Sequence, residues 1–211
     1  MRFFKSPFLV KKLLSDYTWN RSGKEKTLYL TFDDGPIPVV TPFVLEQLEK
    51  YKAKATFFCV GENLSKHPAI AEQVLAAGHV LANHTYNHLK GWQTPLHDYL
   101  RNVQLCQEEL EAVQKFSRPR KKLFRPPHGR ISRSQAAALK EQYELVMWDV
   151  ISYDFDASLS PEACLQKSIR HTRNGSIIVF HDSLKAQRNM MYALPLFLEH
   201  FTAAGYTFET L

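Results

Sequence analysis

The sequence predicts an α/β protein built on a parallel sheet, and three observations indicate this class. Short apolar segments rich in β-branched and aromatic residues alternate with segments of helical periodicity. The length of 211 residues and the hydrophobic content of 45% are typical of one globular domain with a substantial core. No long linker, internal repeat or low-complexity stretch interrupts the alternation. About seven β/α units follow, forming either an open doubly wound sheet or a closed, somewhat shortened β/α barrel.

Each predicted element has a local signal. Strands are expected where short β-rich runs occur, at 27–32, 55–60, 79–83, 122–125, 145–149, 176–181 and 206–210. Helices are expected where apolar residues recur at helical spacing, often after a Ser-Pro, Thr-Pro or His-Pro start, at 42–51, 68–77, 95–115, 132–142, 161–172 and 189–204.

The net charge of +6 is unevenly distributed along the chain. Residues 1–26 carry +5 and residues 115–133 carry +8, so the remainder carries −7. An acidic body with two basic segments does not form a uniform polyanion-binding face, and we expect no nucleic-acid partner. The run at 115–133 is interpreted as a solvated surface. Contact with nucleic acid, or with an anionic glycan near Arg125, is the alternative.

Residues 1–26 are predicted to form a basic N-terminal extension with a short amphipathic helix, ahead of a domain over 27–211. Ser6 and Pro7 are placed as N-cap and first helical residue. The apolar face then consists of Leu9, Val10, Leu13 and Leu14. We expect this face to pack against the domain, with weak contact to an anionic membrane surface as the alternative.

Targeting signals and cysteine pairing are not evident. The longest uncharged run near the N-terminus is 6–10, too short for a cleavable signal peptide, and no stretch approaches the roughly 18 apolar residues of a membrane span. Three cysteines, far apart and without a CxxC pair, fit neither a disulfide framework nor a thiolate zinc site. These features favour a cytoplasmic or peripherally membrane-associated protein, expected to be a monomer.

Polar residues cluster directly after five of the predicted strands. The clusters lie at 33–36, 84–88, 125–129, 149–154 and 181–182. In a β/α barrel the carboxyl ends of the strands share one rim, where the loops build active sites. The sequence therefore predicts a single functional site on that rim.

The residue types in these clusters suggest metal and acid–base chemistry. Asp33 and Asp34 point in different directions, so one can bind a metal while the other stays free as a base. His84 and His88 are spaced i,i+4, which would place both imidazoles on one face of a helical turn. Two histidines and one carboxylate are typical of a catalytic zinc site and also of non-haem iron oxygenases. A protonated His181 opposite a carboxylate base would complete a general acid–base pair.

Five short motifs occur in a fixed order along the chain. They are TFDDGP (31–36), HTYNH (84–88), FRPPHG (124–129), WDVISYDF (148–155) and IIVFHD (177–182). Together they resemble the motifs of the polysaccharide deacetylases, also called carbohydrate esterase family 4 or the NodB homology domain. The resemblance runs from about residue 27 to the C-terminus. It implies a single-domain, distorted, TIM-like (β/α)7 barrel that removes acetyl groups from N- or O-acetylated oligo- or polysaccharides.

The resemblance also implies a metal and an acid–base pair. Asp34, His84 and His88 would hold one divalent ion, zinc with cobalt or nickel as alternatives. Asp33 would be the general base that activates the attacking water. His181 would protonate the leaving amine or alkoxide.

Further roles are implied around this centre. Arg125 would orient Asp33, and Asp154 would orient and tune His181. The backbone amide of His128 would help to stabilise the oxyanion. The residues expected against the substrate also include Val179, Phe155 and Pro127.

Three positions differ from the usual family pattern. His128 stands where the family usually has Tyr, Ile151 where an acidic residue is common, and Phe155 where Trp is common. None of them is an expected metal ligand or acid–base residue. The other hypothesis is a carbohydrate-binding member of the same fold that has lost turnover.

Overall fold

A sheet of parallel strands forms the centre of the molecule in the computed structural model, which describes residues 2–114 and 122–211. The strands are β1 (Thr27–Asp33), β2 (Ala55–Cys59), β3 (Val80–Asn83), β4 (Lys122–Phe124), β5 (Tyr143–Leu145), β6 (Val150–Ile151), β7 (Ile177–His181) and β8 (Thr207–Phe208). The spatial order is β5-β4-β3-β2-β1-β7-β6, with β8 paired to the start of β1. The predicted α/β class and distorted (β/α)7 barrel in a single domain are confirmed.

Helices cover the outside of the sheet. They are α1 (Phe8–Leu13), α2 (Val40–Lys50), α3 (Gly61–Lys66), α4 (Pro68–Ala76), α5 (Leu96–Val113), α6 (Arg133–Lys140), α7 (Pro161–His171) and α8 (Gln187–Ala203). Ser132 caps α6 in a capping box with Gln135, and the Ser160 side chain accepts from the amide of Ala163 at the start of α7. Helix α3 was not predicted, because Leu64 is the one large apolar residue among its six residues, which leaves no periodic signal.

The core lies between the sheet and the helices. Strands β1, β2 and β7 are almost completely buried, as expected for parallel strands covered on both faces. Phe32 of β1 stacks on Phe57 with ring centroids 5.0 Å apart and lies 6.3 Å from Phe180. The three cysteines are buried free thiols. No helix of the described ranges is long and apolar enough to cross a bilayer.

The single strand predicted at 145–149 is wrong, since the chain there forms two separate strands, β5 and β6. Between them, the carbonyl groups of Val146 and Met147 accept hydrogen bonds from the side chain of Arg125. These two carbonyls thus bond to the Arg125 side chain, and residues 146–149 belong to neither strand.

The N-terminal residues fill the space between β5 and β6, which are the two ends of the strand order. Lys5 forms an antiparallel bridge with Val150, and Thr18 forms a parallel bridge with Val146. The amide of Ser6 donates to the carbonyl of Asp149 at 2.9 Å. Phe4 and Trp19 are buried beside these bridges. The first twenty residues therefore contribute two stretches of backbone to the barrel wall.

Helix α1 lies between those two stretches and buries none of its residues. The expectation that its apolar face packs against the domain is wrong, because the flanking Phe4 and Trp19 provide the contact instead. Ser6 is not the N-cap either: its hydroxyl donates to the carbonyl of Trp148, and Pro7 occupies the cap position.

Part of the basic run at 115–133 can be placed. Residues 115–121 lie outside the described residues. Lys122 forms an ion pair with Glu111 at 3.0 Å. Arg125 also falls within this run, but its side chain is fully buried, so the run is not solvated along its whole length.

We predict that the N-terminal segment is part of the folded core. Phe4→Ala removes a buried ring at the barrel opening and should lower the free energy of unfolding by about 3 kcal/mol. Phe8→Ala removes an exposed ring of the same type and should change it by less than about 0.5 kcal/mol. Urea denaturation of both variants measures the difference, and equal effects would contradict this placement.

Candidate active site

The residues of the five sequence motifs meet at the carboxyl ends of the strands. Asp33 at the end of β1 lies in register with His181 at the end of β7. Asn83 at the end of β3 is in register with Phe124, directly before Arg125. The register of neighbouring parallel strands therefore produces the shared rim that the sequence predicts.

Asp34, His84 and His88 form a group with the donor atoms of a metal site. One ligand atom from each residue lies within 4.8 Å of the others. Asp34 Oδ1 is 3.2 Å from Nε2 of His88 and 3.9 Å from Nε2 of His84. This oxygen is buried and accepts no hydrogen bond from the described residues. A carboxylate oxygen left unpaired between two imidazoles fits a divalent cation.

The charges around Asp34 favour its ionised form. Burial raises the pKa of this carboxyl, but His181, His84 and His88 lower it, and the net pKa is below its usual value. Asp34 is thus available as an anionic ligand.

His84 is held in the tautomer that a metal requires. Its Nδ1 lies 2.7 Å from the carbonyl oxygen of Arg125, which can only accept, so the proton is on Nδ1. Burial lowers the pKa of His84 to about 4. The neutral ring therefore has its Nε2 lone pair free to bind a cation beside Asp34.

The two histidines converge through a loop, and the predicted helical turn at 84–88 is wrong. Thr85 and His88 both have positive φ, at 65° and 55°. The Asn83 side chain accepts from the amide of Thr85. Asn102 on α5 accepts from the amides of residues 86 and 87. Because side chains satisfy this backbone, the loop keeps a conformation that helical hydrogen bonding does not provide.

Arg125 fixes one oxygen of Asp33. Its Nη1 donates to Asp33 Oδ1 at 2.6 Å and to Thr31 Oγ1 at 2.8 Å. Its Nε and Nη2 donate to the carbonyls of Val146 and Met147. The other oxygen of Asp33 lies 3.9 Å from Nε2 of His84. The adjacent carboxylates thus diverge, Asp33 towards Arg125 and Asp34 towards His88.

His181 is paired with a fully buried carboxylate. Its Nδ1 lies 2.7 Å from Asp154 Oδ1, and its amide donates to Asp154 Oδ2 at 2.7 Å. Burial lowers the pKa of His181, but Asp154 outweighs this effect, with Asp34 and Asp33 adding to it, and the pKa is raised to about 9. His181 is therefore a cationic acid at neutral pH.

Asp182 supports the loop after Asp34, a role for which its sequence position offers no signal. Its Oδ1 accepts from the amide of Gly35 at 3.0 Å, and its Oδ2 accepts from the hydroxyl of Thr41 at 2.6 Å. Burial raises the pKa of Asp182 to about 8. Thr31, Asn83 and Asn102 were missed for the same reason, since their partners are distant in sequence.

The expected substrate-contacting residues lie around this centre at different depths. Phe155 packs edge-on against His181 with ring centroids 4.8 Å apart. Val179 is fully buried on β7, two residues before His181, and Pro127 is buried in the turn after β4. His128 is exposed, with its ring centroid 4.6 Å from that of His88.

We predict that Gly35→Ala weakens metal binding. A Cβ at this position would overlap the carboxylate of Asp182, so the segment that carries Asp34 must shift. Zinc affinity measured by calorimetry should fall at least about tenfold. Gly23→Ala, at an exposed position, is the control and should bind zinc normally. A folded Gly35→Ala protein with unchanged affinity would contradict the role given to this contact.

The family model and the relatives that match this chain indicate the same family. Residues 20–146 match the family model described as polysaccharide deacetylase. A peptidoglycan-N-acetylglucosamine deacetylase of Bacillus cereus is 33% identical over 198 residues, covering 92% of this chain and 90% of the relative.

Solved structures extend the similarity to the whole fold. A peptidoglycan N-acetylglucosamine deacetylase in complex with a naphthalenyl N-oxidanyl-benzamide superposes with a TM-score of 0.87 and 28% identity, covering 98% of this chain and 95% of that chain. A mutant of a family pseudoenzyme, with restored enzymatic activity, superposes with a TM-score of 0.80 and 25% identity, covering 92% and 68%. The chain belongs to the polysaccharide deacetylase family, carbohydrate esterase family 4.

Proposed function

We propose that this protein is a metal-dependent hydrolase that removes acetyl groups from N-acetylated carbohydrate. The observation that carries the proposal is the group of Asp34, His84 and His88 placed between two differently held acid–base candidates. Asp33 is fixed by Arg125 on one side, and His181 is fixed by Asp154 on the other. Family membership supports the same reaction class.

Asp34, His84 and His88 would hold the divalent ion, zinc with cobalt or nickel as alternatives. When bound, the ion supplies a Lewis acid that lowers the pKa of water and polarises the acetyl carbonyl. The neutral His84 and the anionic Asp34 are already in the protonation states that such binding requires.

Asp33 acts as the general base. Arg125 occupies Oδ1, which fixes the orientation of the carboxylate and leaves Oδ2 to accept a proton. As the water oxygen bonds to the acetyl carbon, its proton passes to Asp33. Arg125 is a positioning residue in this scheme, because its guanidinium touches the base and lies fully buried.

His181 acts as the general acid. Asp154 engages Nδ1, so the proton on Nε2 is the one available for transfer. When the carbon–nitrogen bond breaks, this proton goes to the departing sugar nitrogen, and acetate and the free amine are the products. The backbone amide of His128 supports the oxyanion, and Val179, Phe155 and Pro127 enclose the acetyl group.

The proposed substrate is an N-acetylglucosamine unit of an oligo- or polysaccharide. The support is the Bacillus cereus relative named as a peptidoglycan-N-acetylglucosamine deacetylase, which matches nearly the whole length of this chain. A carbohydrate-binding member without turnover is the alternative, since one structural relative is described as a pseudoenzyme. The complete set of Asp33, Asp34, His84, His88 and His181 favours turnover.

We predict that two adjacent substitutions have different effects. Asp33→Asn removes the base but not the metal ligand, so acetate release from N-acetylglucosamine oligomers should fall by at least about 100-fold with zinc binding retained. Asp34→Asn should abolish both activity and tight zinc binding. Acetate assays and zinc calorimetry on the two variants separate the roles.

The wild-type protein with added zinc or cobalt is the reference for this comparison. Absence of acetate release from the wild type with either metal would refute the hydrolase proposal and favour a binding role. Loss of zinc binding in Asp33→Asn would show that the two carboxylates are not divided as described.

We predict that Asp154→Asn moves the alkaline limb of the pH profile for kcat/KM to lower pH. The acid is active while His181 is protonated, and Asp154 raises the pKa of His181 against the effect of burial. Removing the carboxylate lowers that pKa, so activity should be lost earlier as pH rises. Asp156→Asn, at an acid paired with Arg2 nearby, should leave the limb in place. An unchanged limb in Asp154→Asn would contradict this assignment.

A further inference from the structure

Large apolar side chains are exposed together near the N-terminus. Phe8, Leu9 and Leu13 are 75%, 70% and 82% exposed. The same stretch also exposes Phe3, Val10 and Leu14. Exposed apolar clusters of this kind mark interaction sites more often than ordinary protein surface. We call residues 3–14 the N-terminal apolar surface.

The N-terminal apolar surface is held in place by its flanks. Phe4 is buried, and Lys5 bridges to Val150 on one side of α1. On the other side Trp19 is buried and its Nε1 donates to the carbonyl of Leu14 at 3.0 Å. The helix is therefore presented with its apolar side chains outward, and little ordering remains to be done on binding.

Every charged residue within this stretch is basic. Residues 2–14 contain Arg2, Lys5, Lys11 and Lys12 and no acidic residue. Lys5 and Lys11 pair with Asp149, and Arg2 pairs with Asp156. Lys12 is exposed and forms no ion pair within residues 2–114 and 122–211. An apolar face bordered by lysines is complementary to anionic lipid headgroups above acyl chains.

We propose that the N-terminal apolar surface binds an anionic phospholipid bilayer and lies in its interface. A second copy of the chain is disfavoured as the occupant, because residues 2–14 hold no acidic residue that could pair with Lys12 of the other copy across a twofold interface. The bound segment would enter the headgroup region without spanning the bilayer, as expected for an amphipathic anchor.

The first residues of the chain contact the loop that carries Asp154. The amide of Phe3 donates to the hydroxyl of Tyr153 at 3.2 Å, and Arg2 pairs with Asp156 at 2.6 Å. Both partners flank Asp154, which holds His181. From there the chain runs antiparallel to β6, so α1 begins beyond the contact of Ser6 with Asp149, on the side of β6 away from the rim.

Vesicle co-sedimentation of the full chain tests the proposal. The probes are vesicles of phosphatidylcholine alone and of phosphatidylcholine mixed with phosphatidylglycerol. Wild-type protein should bind the anionic vesicles at least about tenfold more tightly than the neutral ones, and added salt should weaken the binding. Leu9→Ser/Leu13→Ser should reduce binding at least about tenfold, and Lys12→Gln about fivefold.

Leu196→Ser, at a partly exposed position on α8, is the matched control and should bind like the wild type. Unchanged urea midpoints would show that the variants are folded. Absence of wild-type binding to anionic vesicles would overturn the proposal. Binding of the double variant equal to that of the wild type would also overturn it. So would a wild-type dimer that binds no vesicles and that the double substitution dissociates.

Discussion

The buried guanidinium of Arg125 is the constraint on which the rest of the site depends. An isolated charge at this depth would be strongly unfavourable, so the guanidinium must be paired and hydrogen-bonded. It donates to Asp33 and Thr31 on β1 and to the carbonyls of Val146 and Met147 after β5. The Phe58 ring covers the guanidinium at 4.0 Å. One side chain thereby sets the positions of two parts of the rim and interrupts the sheet beyond β5.

Arg125 also separates the two adjacent carboxylates of the rim. By holding Asp33, Arg125 keeps that carboxylate apart from Asp34, and its carbonyl fixes the tautomer of His84. Asp182 then holds the loop that follows Asp34 through the amide of Gly35. Asp34 can therefore belong to the group with His84 and His88 while the adjacent Asp33 remains available as a base.

Sequence patterns predicted the fold class and the candidate residues better than the contacts that hold those residues in position. Periodicity and strand-end motifs are local, and they indicated a parallel α/β fold with polar residues at the strand ends. The resemblance of the motifs to a family then favoured the barrel over an open doubly wound sheet. Partners of Arg125, such as Thr31, and the loop support from Asn102 depend on contacts distant in sequence, which no local pattern contains. The exposed face of α1 was mispredicted for a related reason, because Phe4 and Trp19 anchor the segment from outside the helix.

The central claim is that Asp34 is a metal ligand and that the neighbouring Asp33 is a base. A crystal structure of the zinc-loaded chain tests this claim most directly. The account predicts zinc on Asp34, His84 and His88, with Asp33 still hydrogen-bonded to Arg125. Zinc bound elsewhere, or Asp33 withdrawn from Arg125 to ligate the ion, would contradict it.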